Sequence, residues 1–174
     1  MQQDEALIAA IRDLPRHLDA ARGCDWAALV EAIAGGSTYV LGRGPSWAMA
    51  NEAALKFKET CQIHAESYST AEVQHGPIAI VEPGFPALVF ATGDAAEAGV
   101  AEAADALAKK GAEVFATTSL VQVATELPCV RTAHHLTDPV AAIVSFYSAV
   151  EQIARARGID ADRPRHLNKV TETV

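Results

Sequence analysis

Short apolar, β-rich runs alternate with helix-length segments along this chain, and that alternation constrains its fold more than any other feature. Ser37–Leu41, Pro86–Ala91 and Glu113–Thr117 read as buried-type strands, and Cys129–Thr132 as a weaker fourth. Residues 4–22 read as an amphipathic helix with Leu7, Ile8, Ile11 and Leu14 on one stripe and a break near Pro15. Asp25 caps a helix over residues 26–33, which Gly35-Gly36 stops, and Pro45 or Ser46 opens a long helix to about Cys61. Asp94 caps a helix over 95–110 closed by Gly111, and Asp138-Pro139 opens the last one, ended by Gly158. Residues 62–77 lack clear periodicity and read as a structured loop with at most one helical turn. The tail from 159 to 174 is polar and non-periodic. Strands alternating with long helices predict βαβ units, hence an α/β three-layer sandwich with a mainly parallel sheet of four to five strands. In such sheets ligands bind beyond the carboxyl ends of the strands.

The length, 174 residues, suits one domain, and 50% hydrophobic residues suffice for a core. A formal net charge of -8 argues against nucleic-acid partners and against anionic membranes. No apolar run reaches the ~20 residues that span a bilayer, and the polar, acidic Met1-Gln-Gln-Asp-Glu has no basic leader character. Cys24, Cys61 and Cys129 are far apart with no CxxC spacing, which points away from a disulfide framework or a zinc site and toward a reducing, cytoplasmic setting.

The chemistry-bearing residues cluster between 42 and 77. Gly42-Arg43-Gly44 ends the first strand, and with Ser46 it forms a candidate substrate-binding turn at a helix start. The third glycine of a dinucleotide fingerprint is missing, so no nicotinamide or flavin cofactor is expected. The same turn also fits a plain strand-to-helix connection. Glu52, Lys56 and Glu59 follow at i, i+4 and i+7, one helical stripe. Such a stripe fits a solvated face with salt bridges worth ~0.2–0.5 kcal/mol each. A carboxylate partly desolvated at the ligand edge of a sheet also fits proton transfer. His75 before Gly76-Pro77 is a candidate acid/base group. His64 and His75 would need Glu66 or Glu72 to complete a metal site, and no metal is expected. His134-His135 reads as structural. Lys169, in a tail rich in Pro and paired basic residues, is a candidate amine nucleophile for a sugar carbonyl.

Two stretches, LGRGPSWAMANEAALKFKETCQIHAESYSTAEVQHGPIAIVEPGFP and GIDADRPRHLNKVTETV, cover about a third of the chain. In them the chain resembles the SIS (sugar isomerase) domain, a flavodoxin-like fold. It is most similar to the second of the two SIS halves in glucosamine-6-phosphate synthases and SIS-type glucosamine-6-phosphate deaminases. The resemblance implies an aldose–ketose isomerase working between glucosamine 6-phosphate and fructose 6-phosphate, without metal or organic cofactor. It implies that Glu59 moves a proton between C1 and C2, that Lys56 assists, and that Glu52 orders the site. It implies that His75 opens the sugar ring from a neighbouring subunit and that Lys169 forms an imine with the ketose. The ending KVTETV resembles the deaminase branch, and with no glutaminase domain expected ahead of the SIS part, glutamine-dependent synthesis is not expected.

The chain departs from that family in one respect. The family holds its phosphate in Ser/Thr-rich loops of the first half, whereas the loop after the second predicted strand here is Ala91-Thr92-Gly93-Asp94, whose carboxylate would repel phosphate. The expected organisation is a linker-like helix over 1–22, the SIS domain over 23–158 and a tail over 159–174 that closes over the site. The expected partners are a sugar phosphate and either a second copy, as a dimer, or a first SIS half. A non-catalytic sugar-phosphate-binding or regulatory module remains the alternative.

Overall fold

A computed structural model describes residues 4–33 and 36–167. Among these residues five parallel strands form one sheet: β1 (Ser37–Gly42), β2 (His64–Ser69), β3 (Pro86–Val89), β4 (Glu113–Ala116) and β5 (Thr125–Glu126), in the order β2-β1-β3-β4-β5. This is the doubly wound order of flavodoxin-like sheets, and its switch point lies between β1 and β3. The helices are α1 (Glu5–Ala21), α2 (Ala27–Ala32), α3 (Ser46–Cys61), α4 (Glu97–Ala108) and α5 (Asp138–Ala156).

The pleat sends alternate side chains to opposite faces, and two cores result. Val40, Ala65, Leu88, Phe90 and Phe115 meet α2, α3 and α5, around Trp26, Phe57 and Phe146. Tyr39, Leu41, Ala87, Val89, Val114 and Ala116 meet α4 and the segment after β2, through Val73, Ile78 and Val81. The helix α1 packs on α5, and the Ser145 hydroxyl donates to the Ala21 carbonyl at 2.8 Å. The expected α/β sandwich is therefore the observed one.

Three sequence expectations are corrected. The predicted loop 62–77 contains strand β2, followed by two 3-10 turns, Glu72–His75 and Pro77–Ile80. β2 lies at the sheet edge, so its polar side chains are used locally and no apolar alternation marks it. Tyr68 donates to Glu66 at 2.8 Å, which together with burial pushes the phenol up to about 12, and Ser67 donates to Asn51 at 2.7 Å. The predicted strand Cys129–Thr132 is not a strand. The short β5 precedes it, and Arg131 instead reaches the carbonyls that end β3 and β4. Finally, α1 runs through Pro15 without a break. The carbonyl that Pro15 frees belongs to Ile11, on a half-exposed part of the helix where water can take the bond.

Asp105, buried in the last turn of α4, gathers the loop between β4 and β5. Its carboxylate accepts the N–H groups of Gln122, Val123 and Ala124 at 2.9–3.1 Å. Desolvation opposes ionisation, but these backbone bonds outweigh it and hold the carboxyl below its ordinary 3.8. A lowered folded value stabilises the protein above the unfolded value, and that contribution is lost as pH falls through the folded value. Asp105→Asn turns an amide donor toward backbone donors and should cost about 2–3 kcal/mol at neutral pH. Urea unfolding of both proteins should show the gap closing in acid. A gap of constant size from neutral to acid pH would contradict this account.

Candidate functional site

The turn that launches α3 is tight. A Cβ on Gly42 would stand 2.6 Å from the Ser46 carbonyl oxygen, so only glycine lets β1 and α3 approach this closely. Gly44 takes a left-handed φ of 59°. The Ser46 hydroxyl, fully buried, accepts the Arg43 N–H at 3.0 Å and lies 2.9 Å from the carbonyls of Arg43 and Phe90. Gly42 and Ser46 thus shape the turn itself. Arg43 and Gly44 are exposed and border an open surface recess with Trp47, Ser69 and Glu72.

Glu52, Lys56 and Glu59 share one half-buried face of α3. The Lys56 ammonium donates to Glu59 Oε2 at 2.6 Å and lies 3.6 Å from Glu52 Oε1. The bond to Glu59, opposed by desolvation and helped by the charge of Glu52, raises Lys56 above its ordinary value. Tyr147 of α5 closes the row by donating to Glu52 Oε1 at 2.8 Å. Burial and that bond both push the Tyr147 phenol up. Local sequence does not announce Tyr147, since it joins the row only through the packing of α5 on α3.

The row does not sit where the sequence pattern suggested. α3 begins at the carboxyl edge of the sheet, but Glu59 is 13 residues further on, roughly 20 Å along the axis at 1.5 Å per residue. Glu59 therefore lies near the far end of the helix. There Arg157, just past α5, donates from Nε to the Cys61 carbonyl at 2.9 Å, so the tail departs beside the end of α3 that carries Glu59. Ala161 then packs against the core on this same face. Lys169 lies outside the described residues.

His75 ends the first 3-10 turn, is exposed, and belongs to the segment covering the opposite face of the sheet. Among the described residues it makes no hydrogen bond or ion pair with Glu52, Lys56 or Glu59. One chain thus assembles the carboxylate–lysine row but leaves His75 apart from it. No group of three His, Cys, Asp or Glu among the described residues is arranged to hold a metal ion. No helix among them is long and apolar enough to cross a membrane.

The model of the SIS domain family matches residues 34–156. The chain belongs to the SIS domain family. The glutamine–fructose-6-phosphate aminotransferase (isomerizing) of Aeropyrum pernix is 39% identical to this SIS domain over 141 residues, which is 77% of this chain and 22% of the relative. The corresponding enzyme of Symbiobacterium thermophilum is 32% identical over 94% of this chain and 28% of its own length. The SIS chain thus spans roughly a quarter of the length of these curated relatives. A solved candidate phosphosugar isomerase from Silicibacter pomeroyi DSS-3 is 61% identical, with a TM-score of 0.87 over 91% of this chain and 49% of its own. The glucosamine-6-phosphate deaminase of Thermotoga maritima shares the fold at a TM-score of 0.69 and 22% identity, over 97% of this chain and 50% of its own.

Proposed function

We propose that this SIS domain is the proton-transfer half of a phosphosugar aldose–ketose isomerase working between an amino-sugar 6-phosphate and fructose 6-phosphate, with ammonia released in a deaminase. The observation that carries this reading is the pairing of Glu59 with Lys56 at the end of α3 where the tail bearing Lys169 departs. Isomerisation needs a carboxylate that takes a proton from one carbon and returns it to its neighbour. Glu59 has that role, and Lys56 holds its carboxylate in place. Imine formation needs a neutral amine. The raised Lys56 stays an ammonium, so it orients and neutralises charge, and the nucleophile is Lys169. Glu52, fixed by Tyr147, positions Lys56 from the other side.

His75 is the ring-opening acid/base, and its place on the opposite face of the sheet supports its acting in a neighbouring subunit's site. A homodimer, or pairing with a first SIS half, then completes two ends of the chemistry. The length of the relatives supports such a partner. The second reading, a binding or regulatory module without turnover, has one observation in its favour: the row on α3 is already satisfied by its own ion pairs.

The two readings separate in an assay of ammonia release and fructose 6-phosphate formation from glucosamine 6-phosphate, with the chain alone and mixed with a first SIS half. Borohydride added with fructose 6-phosphate should fix a sugar adduct on Lys169, visible by mass spectrometry of the tail peptide. Absence of both turnover and adduct in either format would sink the catalytic reading.

A further inference from the structure

The crevice at the carboxyl ends of β3 and β4 is where a doubly wound sheet presents two helix N-termini and its loop N–H groups to a ligand. Here the loop N–H groups are already in use. Asp138, in the first turn of α5 and only 4% exposed, accepts the Gly93 N–H at 2.9 Å through Oδ2. Its Oδ1 accepts the Thr132 N–H and hydroxyl, each at 2.8 Å. Glu97, in the first turn of α4, accepts the Thr118 hydroxyl at 2.8 Å. Arg131 bridges the two acids: it donates to Glu97 and to the Thr117 carbonyl through one nitrogen, and the other lies 3.4 Å from Asp138 and 3.1 Å from the Ala91 carbonyl. At the mouth, Asp94 accepts the Ala96 N–H at 2.7 Å and borders a recess with Pro45 and His135.

A guanidinium, two backbone N–H groups and two hydroxyls around two helix N-termini is the donor set of an oxyanion site. In this chain a carboxylate sits against each of those donors, and the Ala91, Thr117 and His134 carbonyls share Arg131 and the Thr132 hydroxyl. Three carboxylates against one guanidinium leave the crevice net negative.

We infer that the crevice is an anion site permanently filled by the chain's own Glu97 and Asp138, and that Glu97 is the specificity-determining residue that bars a phosphate monoester from it. The inference deepens the isomerase reading and rests on it for its meaning. A substrate phosphate is then not held between β3 and β4, which leaves the recess beside Arg43 and Gly44, or another domain, to anchor it.

Inorganic phosphate is the probe, titrated into the full chain and followed by the amide resonances of Gly93, Thr118 and Thr132. In the unaltered protein these resonances should stay in place. Glu97→Ala frees Arg131 and the Thr118 hydroxyl while Asp138 still holds Gly93 and Thr132, so the Thr118 amide should then shift saturably, with a Kd on the order of 1 mM. Adding Arg131→Ala to Glu97→Ala should abolish the response. Should Glu97→Ala not fold, Glu97→Ser, which also vacates the place beside Arg131, decides the question. Saturable shifts in the unaltered protein, or none in the folded Glu97 variant, would overturn the inference. The titration involves no turnover, so its failure leaves the role of Glu59 standing, and loss of that role leaves the titration standing.

Discussion

Glu59→Gln should lower kcat by a factor of about 100 to 10,000 while leaving KM and folding stability nearly unchanged. That factor is about 2.7–5.5 kcal/mol of transition-state stabilisation. The amide is isosteric with the carboxylate and its oxygen can still accept the Lys56 ammonium, now 2.6 Å from Glu59 Oε2. What it lacks is a site for the transferred proton. Imine formation at Lys169 does not use Glu59, so borohydride trapping should survive in the variant. The split between trapping and turnover separates a proton-transfer group from one that only supports the helix. The measurement is steady-state kinetics in the assembled enzyme, and activity within a factor of about three of the unaltered protein would remove Glu59 as the base.

Phe146→Ala should have the largest effect on stability, about 3–5 kcal/mol of a total that is typically 5–15. Phe146 is completely buried on the inner face of α5. Its ring stands edge-on to Phe57 of α3, with centroids 5.1 Å apart at 83°, and to Phe90 at the end of β3, 6.2 Å away at 74°. Truncation therefore empties the junction of both helices with the sheet, and rigid neighbours on each side keep the cavity from closing. The shift should appear in the urea midpoint. A loss below about 1 kcal/mol would mean that α3 and α5 close together, and Tyr147 would then move relative to Glu52.

The layered fold was legible because its cues are local and repeated. Gly111 and Gly158 adopt the left-handed φ expected where α4 and α5 stop, at 97° and 68°, and Asp94 bonds the Ala96 N–H at the entry to α4. What the sequence hid depends on partners distant in the chain. β2 reads as loop because an edge strand spends Glu66, Ser67 and Tyr68 on local polar contacts. The segment around Arg131 reads as a strand, but its polar groups serve partners elsewhere in the chain: Arg131 donates to the Ala91 and Thr117 carbonyls. At the candidate site the helical spacing correctly grouped Glu52, Lys56 and Glu59. It could not give the height of that row above the sheet, the closing bond from Tyr147, or the separation of His75 onto the opposite face. Those follow from the packing of α5 and from the crossing of the chain at β2.

The passage from α3 to β2 has almost no slack. Gln62 alone makes the reversal, in a left-handed conformation at φ 53°, ψ 41°, and the next N–H, that of Ile63, bonds back to the Phe57 carbonyl at 3.1 Å. Two residues after Glu59 the helix has ended, and at His64 the strand is already in register with Ser37 of β1. Helix and strand are thus geared together. Any axial slip of α3 must drag β2 and the His75 turn with it or break the ladder to β1. The two groups proposed to react, Glu59 and His75, on opposite faces of one sheet, are held at a fixed spacing, so an assembly that seats His75 in a neighbour also fixes where its own Glu59 would meet a sugar.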